Sequence, residues 1–292
     1  MAALRTARFW MIGLFVIPPL VLIFFFTYYL SFQSLRLAFF EFSSGQEIGF
    51  NGLQNFRDAL NAERFGPAVI VTLKIVAVVT VFQIAGGFFL AYFLVRSNKW
   101  VQNIGRVAIF IPVVLPGTVV AILWKFIYTP EGGLLNTLLE AIGLGSWAMP
   151  WLGTTETSLY ASIAVNIWKY VGLTMMLFYL AMQNVSKDQL EAARVDGATA
   201  RQELWYVYLP AVKPVLEINL VLTVLGSLRA FDIYNMLTNG GPVGSTTTLT
   251  KLIVDNITAR NYGEGAAMSV MLFAVIALVT VLIRKSFGGE QK

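Results

Sequence analysis

Glu191-Ala192-Ala193-Arg194-Val195-Asp196-Gly197-Ala198 is a charged, helix-favouring stretch between two long apolar runs, and Leu209-Pro210 follows it. A chain embedded in lipid has little reason to keep such a segment unless something outside the membrane reads it. The residues support two short helices over 186–204. Ser186 is an expected N-cap with Gln189 three residues on, as in a capping box. Gly197 is an expected helix stop or tight turn. Helix formers resume from Ala198, and Pro210 and Pro214 set the entry into the next apolar run.

The runs on either side define the class. The chain has 292 residues, 57% hydrophobic and only 13% charged, against about 25% charged in an ordinary soluble domain. The apolar residues gather in blocks of about 20, the length that crosses a hydrocarbon core. They fall at 9–30, 68–95, 107–128, 159–182, 215–237 and 266–283. Backbone groups in lipid must be satisfied within their own segment, so each block is expected to be a helix. The expectation is an all-α polytopic membrane protein with six transmembrane helices, a single transmembrane domain over 1–292. The first run follows Arg5 and Arg8 but exceeds a signal-peptide core, so it is read as a retained span. Pro18-Pro19, Pro112 and Pro116-Gly117 are expected to kink or break their helices.

Basic residues set the orientation. One side receives Arg5, Arg8, Arg96, Lys99, Arg106, Lys187, Arg194, Arg201, Lys213, Arg284, Lys285 and Lys292; the other receives Arg36, Arg57, Arg64, Lys251 and Arg260. The 129–157 loop has none, only Glu131, Glu140 and Glu156. Both termini and the loop at 183–213 are therefore expected in the cytoplasm. The longer connections at 33–67, 129–157 and 238–265 are expected outside.

The chain has no His and no Cys. That excludes imidazole and thiolate metal sites, Cys nucleophiles and His bases. The net charge of +5 is spread over short loops and is no nucleic-acid signal. No Gly-x-x-x-x-Gly-Lys-[Ser/Thr] occurs, so any nucleotide site must belong to another chain. No catalytic, cofactor-binding or metal-ligating residue is assigned.

Polar groups inside spans usually face a bundle interior or water. Asn166 and Lys169 are three residues apart in the fourth block, as are Arg229 and Asp232 in the fifth, with Ser227 nearby. Each pair is expected to share a helix face. Tyr170, Trp168, Phe231 and Tyr234 add aromatic surface. This mixture suits a polyhydroxylated solute. Two bland readings stand beside it: Arg229 with Asp232 as a structural ion pair, and Lys169 as a structural residue. Lys74 and Lys125 are expected to snorkel.

The loop resembles the EAA motif, Glu-Ala-Ala then Gly after three residues, of permease subunits of binding-protein-dependent ABC importers. Asn166-Ile167-Trp168-Lys169-Tyr170-Val171-Gly172 and Leu237-Thr238-Asn239-Gly240-Gly241-Pro242 resemble two further motifs of their carbohydrate branch. The resemblance implies a type I ABC importer fold in the plasma (cell inner) membrane. It implies a second homologous permease, two ATPase subunits that use ATP and Mg, and an extracytoplasmic solute-binding protein, with no nucleic acid. ATPase coupling would fall to Glu191, Ala192, Ala193, Asp196, Gly197, Leu209 and Pro210. Aligned with the maltose importer, solute contacts would fall at Asn166, Lys169, Tyr170 and Leu173, and at Thr223, Gly226, Ser227 and Ala230. Leu173 and Ala230 are apolar, which points to a different solute or weaker contacts. Arg229 and Asp232 join this path by their spacing. The alternatives are an importer for another polar solute, such as a glycerol phosphodiester or a polyol, a stand-alone secondary transporter, and an intramembrane enzyme. No internal repeat supports the transporter, and no paired acids support the enzyme.

Overall fold

The computed structural model describes residues 2–43 and 45–287, with side chains from Gly13 onward except Ser43. Lys292 and the side chains of Arg5 and Arg8 lie outside what is described. The chain divides into two compact units: residues up to Ala62 with Ile253–Phe273, and Glu63–Leu252 with the residues from Ala274 on.

In the first unit, helix α1 (Ala2–Ile23) carries Pro18 and Pro19 without ending there. It passes through a π-turn, Phe24–Tyr29, into α2 (Leu30–Leu37). Leu14, Phe15, Phe24, Phe26 and Phe32 are all exposed. An apolar helix whose described side chains are this exposed suits lipid. The all-helical expectation needs one correction. Strands β1 (Phe40–Ser43) and β2 (Gln46–Phe50) form an antiparallel hairpin in the 33–67 connection. Helix α3 (Gln54–Asn61) follows. Its buried Asn55 donates to the carbonyls of Ala38 and Phe40 at 2.9 and 2.8 Å, pinning the hairpin base.

The second unit holds the bundle. Helix α4 (Phe65–Arg96) is unbroken over 32 residues. Helices α5 (Lys99–Val114) and α6 (Gly117–Ile127) follow, then α7 (Leu134–Ala141) and α8 (Ser158–Gln183). The loop helices are α9 (Lys187–Val195) and α10 (Ala200–Glu203). A π-turn, Leu204–Tyr208, leads into α11 (Leu209–Leu228), and α12 (Asp232–Thr238) follows. Helices α13 (Leu249–Thr258) and α14 (Tyr262–Phe287) are each divided between the two units.

Two apolar clusters show how the helices run. Val71, Ile75 and Val79 of α4 meet Leu159, Ile163 and Val165 of α8, together with Ile233, Tyr234 and Leu237 of α12. Ala91 and Leu94 meet Met175, Phe178 and Met182, together with Tyr208 and Val212. Thus α4 and α8 run in the same direction and α11 in the opposite one. The α4 and α8 backbones are close. A Cβ on Gly87 would lie 2.6 Å from Thr174 Cγ2.

Among the described residues, five helices are long and apolar enough to cross a membrane. The expected third span, 107–128, is instead the pair α5 and α6, bent by 103°. Proline explains the break. Leu115 precedes Pro116 and is extended, with ψ 137°. Pro116 has no N–H to return to the Pro112 carbonyl. The expected fifth span, 215–237, is also corrected. Its helix belongs to a run over Ala200–Leu228, stops at Arg229 and restarts at Asp232.

Candidate functional site

The break after Leu228 opens a cavity of about 340 Å3. Two helical stripes face it. Asn166, Tyr170, Leu173 and Thr174 recur at helical spacing on α8; Asn219, Thr223, Gly226 and Ser227 do so on α11. Ala230, Phe231 and Asp232 enter from the break, with Arg229 beside them. Nine of the ten expected path residues therefore line one cavity; Lys169 does not.

Lys169 is buried beside the cavity, its ammonium 5.0 Å from the centroid of the Tyr170 ring. Its ammonium donates to the carbonyls of Pro112 and Val113, each at 3.3 Å, and of Leu115 at 2.5 Å. These acceptors lie at the end of α5, where Pro116 supplies no N–H. A cation at a helix C-terminus also complements the helix dipole. This geometry ties Lys169 to the end of α5.

Arg229 and Asp232 do not share a helix face, because α11 ends between Leu228 and Arg229. Both are exposed, and among the described residues no ion pair joins them. A helix cannot continue through Phe231 at φ −140°, ψ −63°. Thr248 Oγ1 secures the break by donating to the Ala230 carbonyl at 2.7 Å.

The Leu237–Pro242 motif braces the same region. Asn239 and Gly240 have φ 51° and 86°, so the chain reverses sharply there. Thr246 and Thr247 hydroxyls donate back to the carbonyls of Gly241 and Gly240 at 3.1 and 3.2 Å. Ser245 Oγ lies 2.9 Å from Ser158 Oγ at the start of α8.

Two amides of the cavity wall, Gln83 and Asn219, were not singled out from the sequence. Gln83 of α4 donates to Thr174 Oγ1 at 3.1 Å and Thr223 Oγ1 at 3.3 Å, joining α4, α8 and α11. Asn219 lies one turn from Thr223 towards the loop; it is 1% exposed, and its Nδ2 has no partner among the described residues. The buried Tyr234 hydroxyl likewise has no partner among the described residues. Unmet buried donors are costly unless water or a ligand meets them. The one signal in the sequence was a carboxamide in each of two apolar helices.

The loop is built as expected at its turn. Gly197 has φ 78°, and the Gly197 and Ala198 N–H groups return to the carbonyls of Arg194 and Ala193 at 3.0 and 2.9 Å. This is a Schellman closure. The capping box differs from expectation: Ser186 makes no side-chain cap, and the box is Thr199 with Gln202. Ser and Thr are equivalent cap candidates on paper; here Thr199 starts the helix that the π-turn carries into α11. Glu191, Ala192, Asp196, Gly197 and Pro210 are exposed, while Ala193 and Leu209 are half-buried.

Behind this exposed face lies Glu203, which the sequence reading did not single out. Its side chain is 3% exposed, yet it pairs with Arg96 and with Arg194, the latter at 2.8 Å. Its carboxylate raises the Arg194 pKa through that hydrogen bond.

Comparison with known proteins agrees with these features. Residues 83–286 match the family described as "Binding-protein-dependent transport system inner membrane component". A probable ABC transporter permease protein, YurN, of Bacillus subtilis is 32% identical, covering 94% of both chains. The trehalose/maltose transport system permease protein MalF of Thermococcus litoralis is 30% identical over 82% of this chain and 80% of its own. The multiple sugar-binding transport system permease protein MsmF of Streptococcus mutans is 31% identical over 92% of each. A solved bacterial transporter described as importing the acidic polysaccharide alginate shares the fold. Its TM-score is 0.85 at 22% identity, covering 99% of this chain and 98% of that one. The bent membrane helices, the cavity and the loop are those of an integral membrane transport subunit, and the chain belongs to the binding-protein-dependent ABC transporter permeases.

Proposed function

We propose that the chain forms half of the translocation path of an ATP-driven importer for a sugar or oligosaccharide. The carrying observation is the cavity wall, which mixes amides, hydroxyls and aromatic rings. Amides and hydroxyls exchange hydrogen bonds with sugar hydroxyls, and rings cover the C–H faces of the sugar. The names of MalF and MsmF support the same class. Asn166, Tyr170, Leu173, Thr223, Gly226, Ser227, Arg229, Ala230 and Asp232 would contact the solute, with Gln83 and Asn219 added. Lys169 would hold the wall from behind.

The EAA loop would seat in an ATPase cleft, with Glu191 making a charged contact and the small Ala192 and Ala193 packing closely. Two ATPase subunits would bind and hydrolyse ATP with Mg; this chain would bind neither. A second permease would complete the path, and an extracytoplasmic binding protein would deliver the solute. The whole chain would act as one membrane domain, with the loop and both termini in the cytoplasm.

One observation favours a second reading. Arg229 faces the cavity without an ion-pair partner among the described residues, which would suit an anionic solute such as a glycerol phosphodiester. Uptake by the complete reconstituted importer separates the two. Labelled maltose, trehalose and glycerophosphocholine are offered in turn. Saturable maltose or trehalose uptake, weakened by Asn166→Ala and Ser227→Ala, is expected. Uptake of glycerophosphocholine alone, abolished by Arg229→Gln, would replace the sugar reading.

A further inference from the structure

Glu203 joins three elements that are distant in sequence. It ends α10, Arg194 lies on α9 one turn from Glu191, and Arg96 occupies the last turn of α4. A second tie runs alongside. The Tyr92 hydroxyl donates to the Ala200 carbonyl at 2.8 Å, and Arg96 Nη1 donates to Tyr92 Oη at 3.3 Å. The Tyr92 and Tyr208 rings meet edge-on, with centroids 5.5 Å apart.

Helix α9 needs such ties, because none of its residues is fully buried and its Leu190 is only partly covered against the bundle core. Apolar burial is therefore a weak anchor for it. The Schellman turn fixes its end, not its distance from the membrane helices. A carboxylate holding two guanidiniums is a short, directional link. The Glu203 carboxylate is shielded, while Arg96 and Arg194 keep side-chain exposures of 36% and 56%. The link is therefore screened less than a surface pair.

The middle of α4 is in the cavity wall. Gln83 lies 13 residues before Arg96 on the same unbroken helix, about 20 Å away at 1.5 Å per residue. There it grips Thr174 and Thr223. A displacement of α9 thus has a continuous route to the cavity: Arg194, Glu203, Arg96, α4, Gln83.

We infer that Glu203 is a positioning residue that clamps the coupling helix to α4 and makes α4 the lever acting on the cavity wall. This rests on the coupling role proposed above for the EAA loop. Such rigid-element transmission needs two arrangements of the lever, one for each state of the ATPase.

The chain has no cysteine, so Leu222→Cys, at an exposed position on the cavity wall, gives a unique reporter. The full complex with its ATPase subunits is placed in lipid nanodiscs. Maleimide labelling is timed with and without a non-hydrolysable ATP analogue. The reporter chain should change its labelling rate at least fivefold on adding the analogue. Adding Glu203→Gln should cut that change below twofold while the ATPase subunits still co-purify, and Glu203→Asp should restore part of it. A full response in Glu203→Gln overturns the clamp and leaves the coupling role standing. No response in the reporter chain itself, or no co-purifying ATPase, overturns the coupling role and the clamp with it. Should Glu203→Gln fail to assemble, Arg194→Gln reads the same link and leaves Arg96 paired with Glu203. An unchanged response there also overturns the inference.

Discussion

Gly172 and Gly197 sit in two motifs of one chain and are glycine for opposite reasons. Gly172 lies in the middle of α8. A Cβ there would stand 2.2 Å from the Ile109 carbonyl oxygen and 3.1 Å from Phe110 Cα. Its constraint is space, set by the α5 backbone. Gly197 has open space around its Cβ position, but its φ is 78°. Its constraint is conformation. The first region is a packed wall whose parts cannot move apart cheaply. The second is an exposed hinge that keeps its shape with few neighbours. Changes in the wall should therefore lower stability, and changes in the loop should spare stability and alter coupling.

The largest effect is expected at Gly172. The clash in Gly172→Ala is with backbone, so no side-chain rotation relieves it, and α5 and α8 must separate. Overpacking of this kind costs about 1–3 kcal/mol or more. The melting temperature in detergent should fall clearly below that of the unmodified chain. An unchanged value would mean that α5 does not approach α8 this closely.

Lys169→Met comes next. It removes a donor from the carbonyls of Pro112, Val113 and Leu115. Hydrogen bonds to a charged group contribute roughly 1.5–3 kcal/mol, offset here by no longer burying an ammonium. A melting temperature drop smaller than for Gly172→Ala is expected, with the remaining folded protein still binding solute. Loss of solute affinity at unchanged stability would return Lys169 to the path.

The loop should behave differently. Gly197→Ala keeps the chain but forces an L-residue into the left-handed region, at about 1–2 kcal/mol. Gly197→Pro cannot hold φ 78° at all, and a bulky residue at Ala193 should block close seating. In the full complex, both should lower solute transported per ATP hydrolysed, with little change in the melting temperature of the bundle. Normal coupling in Gly197→Pro would remove this turn from the coupling machinery.

Legibility in the sequence follows the range of the interactions. The Schellman turn at Gly197 closes within a few residues, so local chemistry announces it. The break at Leu115–Pro116 was equally visible, because a proline removes its own donor. What takes up the freed carbonyls was not, since Lys169 stands more than 50 residues away in the chain. The Arg229–Asp232 spacing misled because it assumed a continuous helix. The end of α11 is secured by Thr248, 18 residues beyond Ala230. Neither Gln83 nor Asn219 has a charged residue three or four positions away, so no charged pair marks its helix face. A carboxamide in an apolar helix is a fainter version of the same signal. Glu203 was hidden among the charges of its own loop, and only its burial separates it from them.

Asn219→Leu should have the smallest effect on stability and the sharpest meaning. The Nδ2 group of Asn219 has no partner among the described residues, so leucine removes an unmet donor and breaks no hydrogen bond through it. The melting temperature should hold or rise slightly, as when a buried unsatisfied group is lost. If the solute meets that donor, its apparent affinity should fall about tenfold, the equivalent of roughly 1.4 kcal/mol. Gly172→Ala should do the reverse, losing stability while folded complexes keep their affinity. If Asn219→Leu lowers stability and spares affinity, this part of the cavity belongs to the packed wall and the path ends at Thr223.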